Sequence, residues 1–502
     1  MLINRRQFLG YTLKSAGGLA AVHASQSFTL AQVGPSASPA ADSNNVSSLL
    51  FFDDWPLDRR DHVERRTGQP VWHPEATFVD PDLNVTWGYP SVFRDPDTGK
   101  WRCLYQGWDA RRKRLYPLVA ESKDGLRWHS PDLSGAVPVS DRSYPNQVLP
   151  VTNFSEWSPC YYDARAGSDE RIKGLVFFDR AGKRPKSYLW VSPDGLHWHC
   201  IDGVRWQREA PDPVTCVFWN SLRQSYVLTT RPSLNDRRIA VAETKDWRTF
   251  SDPQMALEAD ALDTPLAQLY GMPVFPYEGW FIGLLWIYHV PPEVNGESPL
   301  KYLGGRIDSQ LSYSIDGWHF QRGLRVPFLA NSLPGQLGSG CLQPCSLLIQ
   351  DDEIRIYSCA ARHEHGILTP GDGGLLLHTL RLDGFTYLEP TGGTGVIGTR
   401  PLLWKGGKLE LNVLAPDGEA RVQVTDSKGK VLQGYGFEDA ISFAGDSIRW
   451  EPVWRDNLSL HAIADRTMRI EVMLKNARLY GIRGKFQVLT AAEVMRYEQQ
   501  HH

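Results

Sequence analysis

Two carboxylates stand directly ahead of apolar, strand-forming runs: Glu156 in NFSEWSPCYYD and Asp212 in APDPVTCVFW. Trp157 and Pro159 give Glu156 an apolar setting, which raises a carboxyl pKa and suits a proton donor. Asp212 lies between two prolines, stiffly presented as a base or nucleophile. Two carboxyl groups, one protonated and one ionised, are what cleavage of a glycosidic bond requires. Asp308, in GGRIDSQLSYS, is placed to orient a partner or a sugar hydroxyl. Asp263 in ALDTPLAQLYGMP and Asp54 in LLFFDDW are further acids that could face the same place. For every one of them the plain alternative is a solvated loop carboxylate or a turn initiator.

Aromatic residues are abundant, with eighteen tryptophans in the chain. Trp87, Tyr89, Trp157, Tyr270 and Trp108 are the candidates to stack on sugar rings; the rest serve as packing. His363 and His365 flank a glutamate in AARHEHG; two histidines so spaced invite a metal reading, but at a strand-to-loop exit the signal is weak, and His365 is read as a hydrogen-bonding partner of substrate, with a plain exposed loop as the alternative. Gln343 stands at a comparable place in a later strand. No nucleophile elbow, phosphate-binding glycine loop or zinc spacing occurs, and no cofactor or metal is expected.

The elements that must position these residues announce themselves by repetition. SKDGLRWHSPD returns as SPDGLHWHCID, ETKDWRTFSDP, YSIDGWHFQRG and LRLDGFTYLEP. The turn aspartates are Asp124, Asp194, Asp246, Asp316 and Asp383, at steps of 70, 52, 70 and 67 residues. Asp-Gly between alternating runs is a hairpin signal, because glycine accepts positive φ without a Cβ clash. Each hairpin follows another strand pair, such as PSVFRDPDTGKWRCLYQG, so each period holds four antiparallel strands. Five such periods predict an all-β chain: a five-bladed β-propeller over 47–393. Beyond 393, LELNVLA, ARVQVTD, SIRWEPVW, LSLHAI and MRIEVMLKN alternate in period two between turns such as PDGE and SKGK. They predict a β-sandwich over 394–490, and TAAEVMRYEQQHH a short tail helix over 491–502.

This arrangement resembles the propeller glycoside hydrolases of the invertase, levanase and arabinanase type, most closely an uncharacterised bacterial branch. The likeness rests on LLFFDDW, WGYPSVFRDPDTGKWRCLYQGW, YGMPVFPYEGWFIGLLW, IDSQLSYSIDGWHFQR, HTLRLDGFTYLEP and LNVLAPDGEARVQV, and spans about residues 48–490. It implies a glycoside hydrolase with its site at the mouth of the propeller channel, Glu156 and Asp212 as principal pair and Asp308 assisting. Two rivals share that fold. A phosphorylase would need basic residues by the acids, for which Arg94, Arg231 and Arg362 are candidates. A non-catalytic carbohydrate-binding propeller would scatter the acids over its surface.

The chain has 502 residues, a formal net charge of −3 and no basic stripe, which argues against a nucleic-acid partner. Its start, MLINRRQFLGYTLKSAGGLAAVHASQS, resembles a twin-arginine export signal ending near residue 24, followed by a Ser-, Ala- and Pro-rich linker over 25–46. No later run is apolar enough to span a membrane. The expectation is a periplasmic or secreted monomer acting on carbohydrate. Seven cysteines at no metal spacing read as buried thiols.

Overall fold

The computed structural model describes residues 46–80, 83, 88–152, 154–178, 186–204, 206, 214–232, 236–291, 304–365 and 371–501. Residues 1–45, on which the expected leader and most of the expected linker fall, Trp87 and Asp212 lie outside them. The chain is all-β, and its one α-helix among the described residues is Ala491–His501.

Five antiparallel meanders follow one another among the described residues. Meander I comprises Ser91–Arg94, Trp101–Asp109, Arg114–Ser122 and Trp128–His129. Meander II starts with two short strands, Phe154–Trp157 and Tyr161–Tyr162, both paired with Ile172–Phe178, and continues with Lys186–Ser192 and His199–Cys200. Meander III is Cys216–Asn220, Ser225–Thr230, Ile239–Thr244 and Gln254–Leu257. Meander IV sets Ala267–Gly271 and Val274–Tyr277 against Trp280–His289, then Arg306–Ser314 and Gln321–Leu329. Meander V is Cys341–Gln350, Glu353–Ala361 and Gly373–Arg381. A parallel pairing, Ile307 to Cys341, joins IV and V into one nine-stranded sheet.

The repeated turns do two jobs. Within the first four, the aspartate Oδ1 accepts two backbone N–H groups just ahead: Leu126 and Arg127 for Asp124, Leu196 and His197 for Asp194, Arg248 and Thr249 for Asp246, Trp318 and His319 for Asp316. Each turn also docks on the meander before it. Arg102 of I donates to the Asp194 carbonyl of II, and Asn220 of III to the Asp316 carbonyl of IV. Arg355 and Tyr357 of V donate to the carbonyls of Asp124 and Gly125 of I. Trp247 of III stacks on Tyr161 of II, and Asp383 of V accepts a hydrogen bond from Tyr277 of IV. A Cβ on Gly317 would stand 2.4 Å from the Asn220 amide, so that glycine serves the docking as well as its φ of +66°. The docking runs V–I–II–III–IV–V and closes on itself. In keeping with this, Ser91–Arg94, residues 159–162, 216–217, 273–275 and 345–348, from all five meanders, line one axial pocket.

The other body is an eleven-stranded sheet built on Glu410–Asp426, Arg466–Lys475 and Arg478–Gly484 around buried Trp404, Trp454, Val422 and Ile470. Three expectations are corrected here. Ser47–Leu50, Leu57–Asp61 and Val63–Thr67 pair into this sheet and not into the ring, with Leu49 and Phe51 in its core. Thr386–Pro390, expected as the last strand of the fifth repeat, pairs with Val63–Thr67, and Val71–Trp72 takes the vacated edge beside Gly373–Arg381. PDGE is not a hairpin either. It is the bulge at which one long strand, Glu410–Asp426, leaves Arg478–Gly484 for Arg466–Lys475. None of the seven cysteines is joined in a disulfide, and burial pushes the thiols of Cys103, Cys160, Cys216, Cys341 and Cys345 far up, Cys216 to about 12.

Candidate functional site

In each meander the first and third strands begin, and the second ends, at one end of the ring; the repeated Asp turns close the other. Glu156, Tyr89, Tyr270, Asp308, Gln343, Arg231 and His365 all belong to the first end by their positions on these strands. Arg94 does not: its Nε donates to Gly99 O in the hairpin at the opposite end.

Glu156 lies half-buried on Phe154–Trp157, opposite Phe177. Its neighbour Trp157 is fully buried. Gln106 of meander I receives the Trp157 N–H (3.0 Å) and donates to its carbonyl (3.1 Å), and the indole packs on Phe154 and Trp198. Trp157 is therefore a wedge between meanders, and its face is closed to a sugar. Tyr89 is also buried, stacked on Trp286 with ring centres 6.0 Å apart and planes at 5°. Its φ of +38° is unusual for a non-glycine residue and concentrates strain where meander I opens. Tyr270 is covered by Trp286, Tyr288 and His365, and its hydroxyl lies 2.9 Å from His365 Nε2. The three aromatics form the floor of this end, not exposed platforms.

Asp308 is the acid whose surroundings point furthest. It is 8% exposed; Oδ2 is 3.0 Å from His289 Nε2, while Oδ1 is buried with no hydrogen-bond partner among the described residues. Thr264 Oγ1 lies 3.4 Å from the other ring nitrogen, Nδ1, of His289. A buried carboxylate oxygen with no donor is costly, and a hydroxyl brought by a ligand removes that cost. The pair forms because Asp308 faces Ile287 across the ladder, two residues before His289 on the same face.

Around Tyr270 the charge is positive. The Arg231 guanidinium donates from Nε and Nη2 to the Tyr270 carbonyl (3.2 and 3.0 Å) and lies 4.3 Å from its ring centre. Arg237 lies 5.2 Å from the Tyr270 ring and 5.0 Å from that of Tyr288. His365 is anchored by its backbone N–H to Gly305 O (2.9 Å), and the His363 ring turns away to Asp372 (2.7 Å). The two histidines thus serve different partners.

Two other acids leave the site. Asp54 belongs to the segment that joins the large sheet, where it pairs with Arg60 at 3.0 Å and with Arg65. Asp263 is buried in an ion pair with Arg322 and Arg325. Glu278, at a hairpin tip of meander IV, accepts from Ser48 Oγ (2.6 Å). His289 and Arg237 were missed by sequence reasoning. The signal for His289 was a polar residue closing an otherwise apolar strand, WFIGLLWIYH.

No protein-family model matches the sequence, and no curated protein matches it either. Among solved structures the chain is similar to a protein described as a glycoside hydrolase, at 13% identity over 63% of this chain and 92% of that one, with a TM-score of 0.42. It is similar to a β-1,2-mannobiose phosphorylase from Listeria innocua (11% identity, 63% and 98% covered, TM-score 0.43). It is also similar to an exo-β-1,3-galactanase from Phanerochaete chrysosporium (9% identity, 81% and 99% covered, TM-score 0.38).

Proposed function

We propose that the chain is an exported carbohydrate-active enzyme, a glycoside hydrolase that works at the open end of a five-bladed propeller carrying a C-terminal sandwich. The cyclic docking of the five repeated turns supports the blade count. One observation carries the chemistry: acids from separate meanders, Glu156 of II and Asp308 of IV, open on the same end of the ring, and Asp308 keeps one buried oxygen without a donor among the described residues. In this reading Glu156 gives a proton to the leaving oxygen, and Asp212 is base or nucleophile. Asp308, steadied by His289, grips a sugar hydroxyl. Arg231 at the same end favours a second reading, in which phosphate replaces water as the acceptor.

Aryl glycosides and polysaccharides, offered to the mature protein with and without inorganic phosphate, test the proposal. Glu156→Gln and Asp212→Asn should each lower kcat by about a hundredfold or more, the range lost with a general acid or base. Asp308→Asn should raise KM and lower kcat less. Turnover that survives both of the first two changes would sink the assignment, and turnover that needs phosphate would select the phosphorylase.

A further inference from the structure

Arg237 stands in the connection between Ser225–Thr230 and Ile239–Thr244, at the seam of meanders III and IV. Its backbone N–H and its Nη1 both donate to Gln268 Oε1 (3.3 and 3.1 Å), which fixes the guanidinium over Tyr270 and Tyr288. Its Nε is buried and has no partner among the described residues. Its neighbour in the chain shows what an ordinary arginine does here: Arg238 takes Asp236 at 2.8 Å and Glu258 at 3.0 Å. Among the described residues no carboxylate pairs with Arg237. A guanidinium held rigid by an amide and two aromatic faces, with a fork of donors left over, is built to meet a planar or tetrahedral oxyanion bidentately. Arg237 lies along the first strand of meander IV, where its carbonyl accepts from the Leu269 N–H, with Tyr288 of the second strand beside it, so its guanidinium is placed to meet an anionic substituent of a sugar bound at this end.

We propose that the substrate is an acidic glycan, and that Arg237 receives its carboxylate or sulfate oxyanion. This rests on the reading of the open end as a carbohydrate site and names the class of carbohydrate.

The test uses the whole mature protein and an immobilised panel. Uronate oligosaccharides are set beside their carboxyl-reduced forms, and sulfated oligosaccharides beside their desulfated forms. Inorganic phosphate serves as a soluble competitor. Wild type should prefer an acidic member over its neutral form by about tenfold or more in Kd, as a charge-assisted bidentate contact gives. The uronate and sulfate arms say which oxyanion is meant. Arg237→Gln should shrink that preference to about threefold or less, Arg237→Lys should keep part of it, and Arg238→Gln, a folding control, should keep it all. Equal binding of acidic and neutral forms, binding of phosphate with no acidic glycan, or no binding by folded protein would each overturn the proposal. Arg237-dependent binding without any turnover would sink the hydrolase reading and leave this one standing. Turnover of neutral glycans alone would do the reverse.

Discussion

Asp316 and Asp308 are eight residues apart, and their fates differ because of what surrounds each carboxylate. Burial would raise the pKa of Asp316, but the His319 ring and the N–H groups of His319 and Trp318 outweigh it and bring the group to about 2. It stays ionised in its turn, at the end of the ring away from the proposed chemistry. Asp316→Ala should therefore cost about 1 kcal/mol in urea unfolding, modest because the side chain is half-exposed, and leave kcat/KM near wild type. A large loss of activity in the folded variant would refute the division of the ring into a turn end and a working end. The first four turn aspartates were legible because the N–H groups their carboxylates hold lie within three residues. Asp308 was only half legible, as an acid ahead of a strand; its partner His289 is nineteen residues away and is delivered by register. Arg237 was invisible for the same reason. Trp157 misled because an aromatic beside an acid has the same sequence whether it stacks on a sugar or wedges two sheets apart.

At the scale of elements, the fifth meander shows how far alternation can be read. Period-two patterning identified both TYLEP and the strands around it, but patterning names a strand's faces and not its partner. Thr386–Pro390 left for the large sheet, and Val71–Trp72, more than three hundred residues earlier, filled the edge opposite Thr379 and His378. His378 is buried there; desolvation, and then the nearby His73, lower its pKa to about 4. A histidine starts near 6.5 when unfolded, so the unfolded chain takes up a proton between pH 6.5 and 4 and the folded chain does not. The sign follows: the stability is complete above pH 6.5 and is lost as pH falls, by up to about 3 kcal/mol at pH 4. Denaturant midpoints measured from pH 7.5 to 4.5 should fall for wild type and fall less for His378→Leu. Parallel curves for the two proteins would mean that this closing strand does not hold a neutral histidine.

For the molecule as a whole, one carboxylate decides whether the ring and the large sheet are separable. Asp383 is the fifth turn aspartate, yet its side chain is fully buried. It accepts from Tyr277 Oη of meander IV (2.8 Å), from Asn412 Nδ2 of the large sheet (3.0 Å) and from both terminal nitrogens of Arg483, also of the large sheet. Burial would lower the Arg483 pKa, but Asp383 beside it raises it well beyond its usual value. Each charge is tolerable only because the other is present. Arg483→Met strands a buried carboxylate and should cost about 3–5 kcal/mol, whereas Asp383→Asn in the same chain should restore part of that by removing the stranded charge. The strand exchange adds to the coupling, since Ser47–Leu50, Leu57–Asp61 and Val63–Thr67 precede the ring in sequence but complete the large sheet. A chain cut after residue 393 loses the partners of two of these strands and exposes Asp383, so it should not yield a soluble ring. Calorimetry of the mature protein should show one cooperative transition for both bodies. Two well-separated transitions, or a stable ring from the truncated chain, would show that the latch joins units that fold independently.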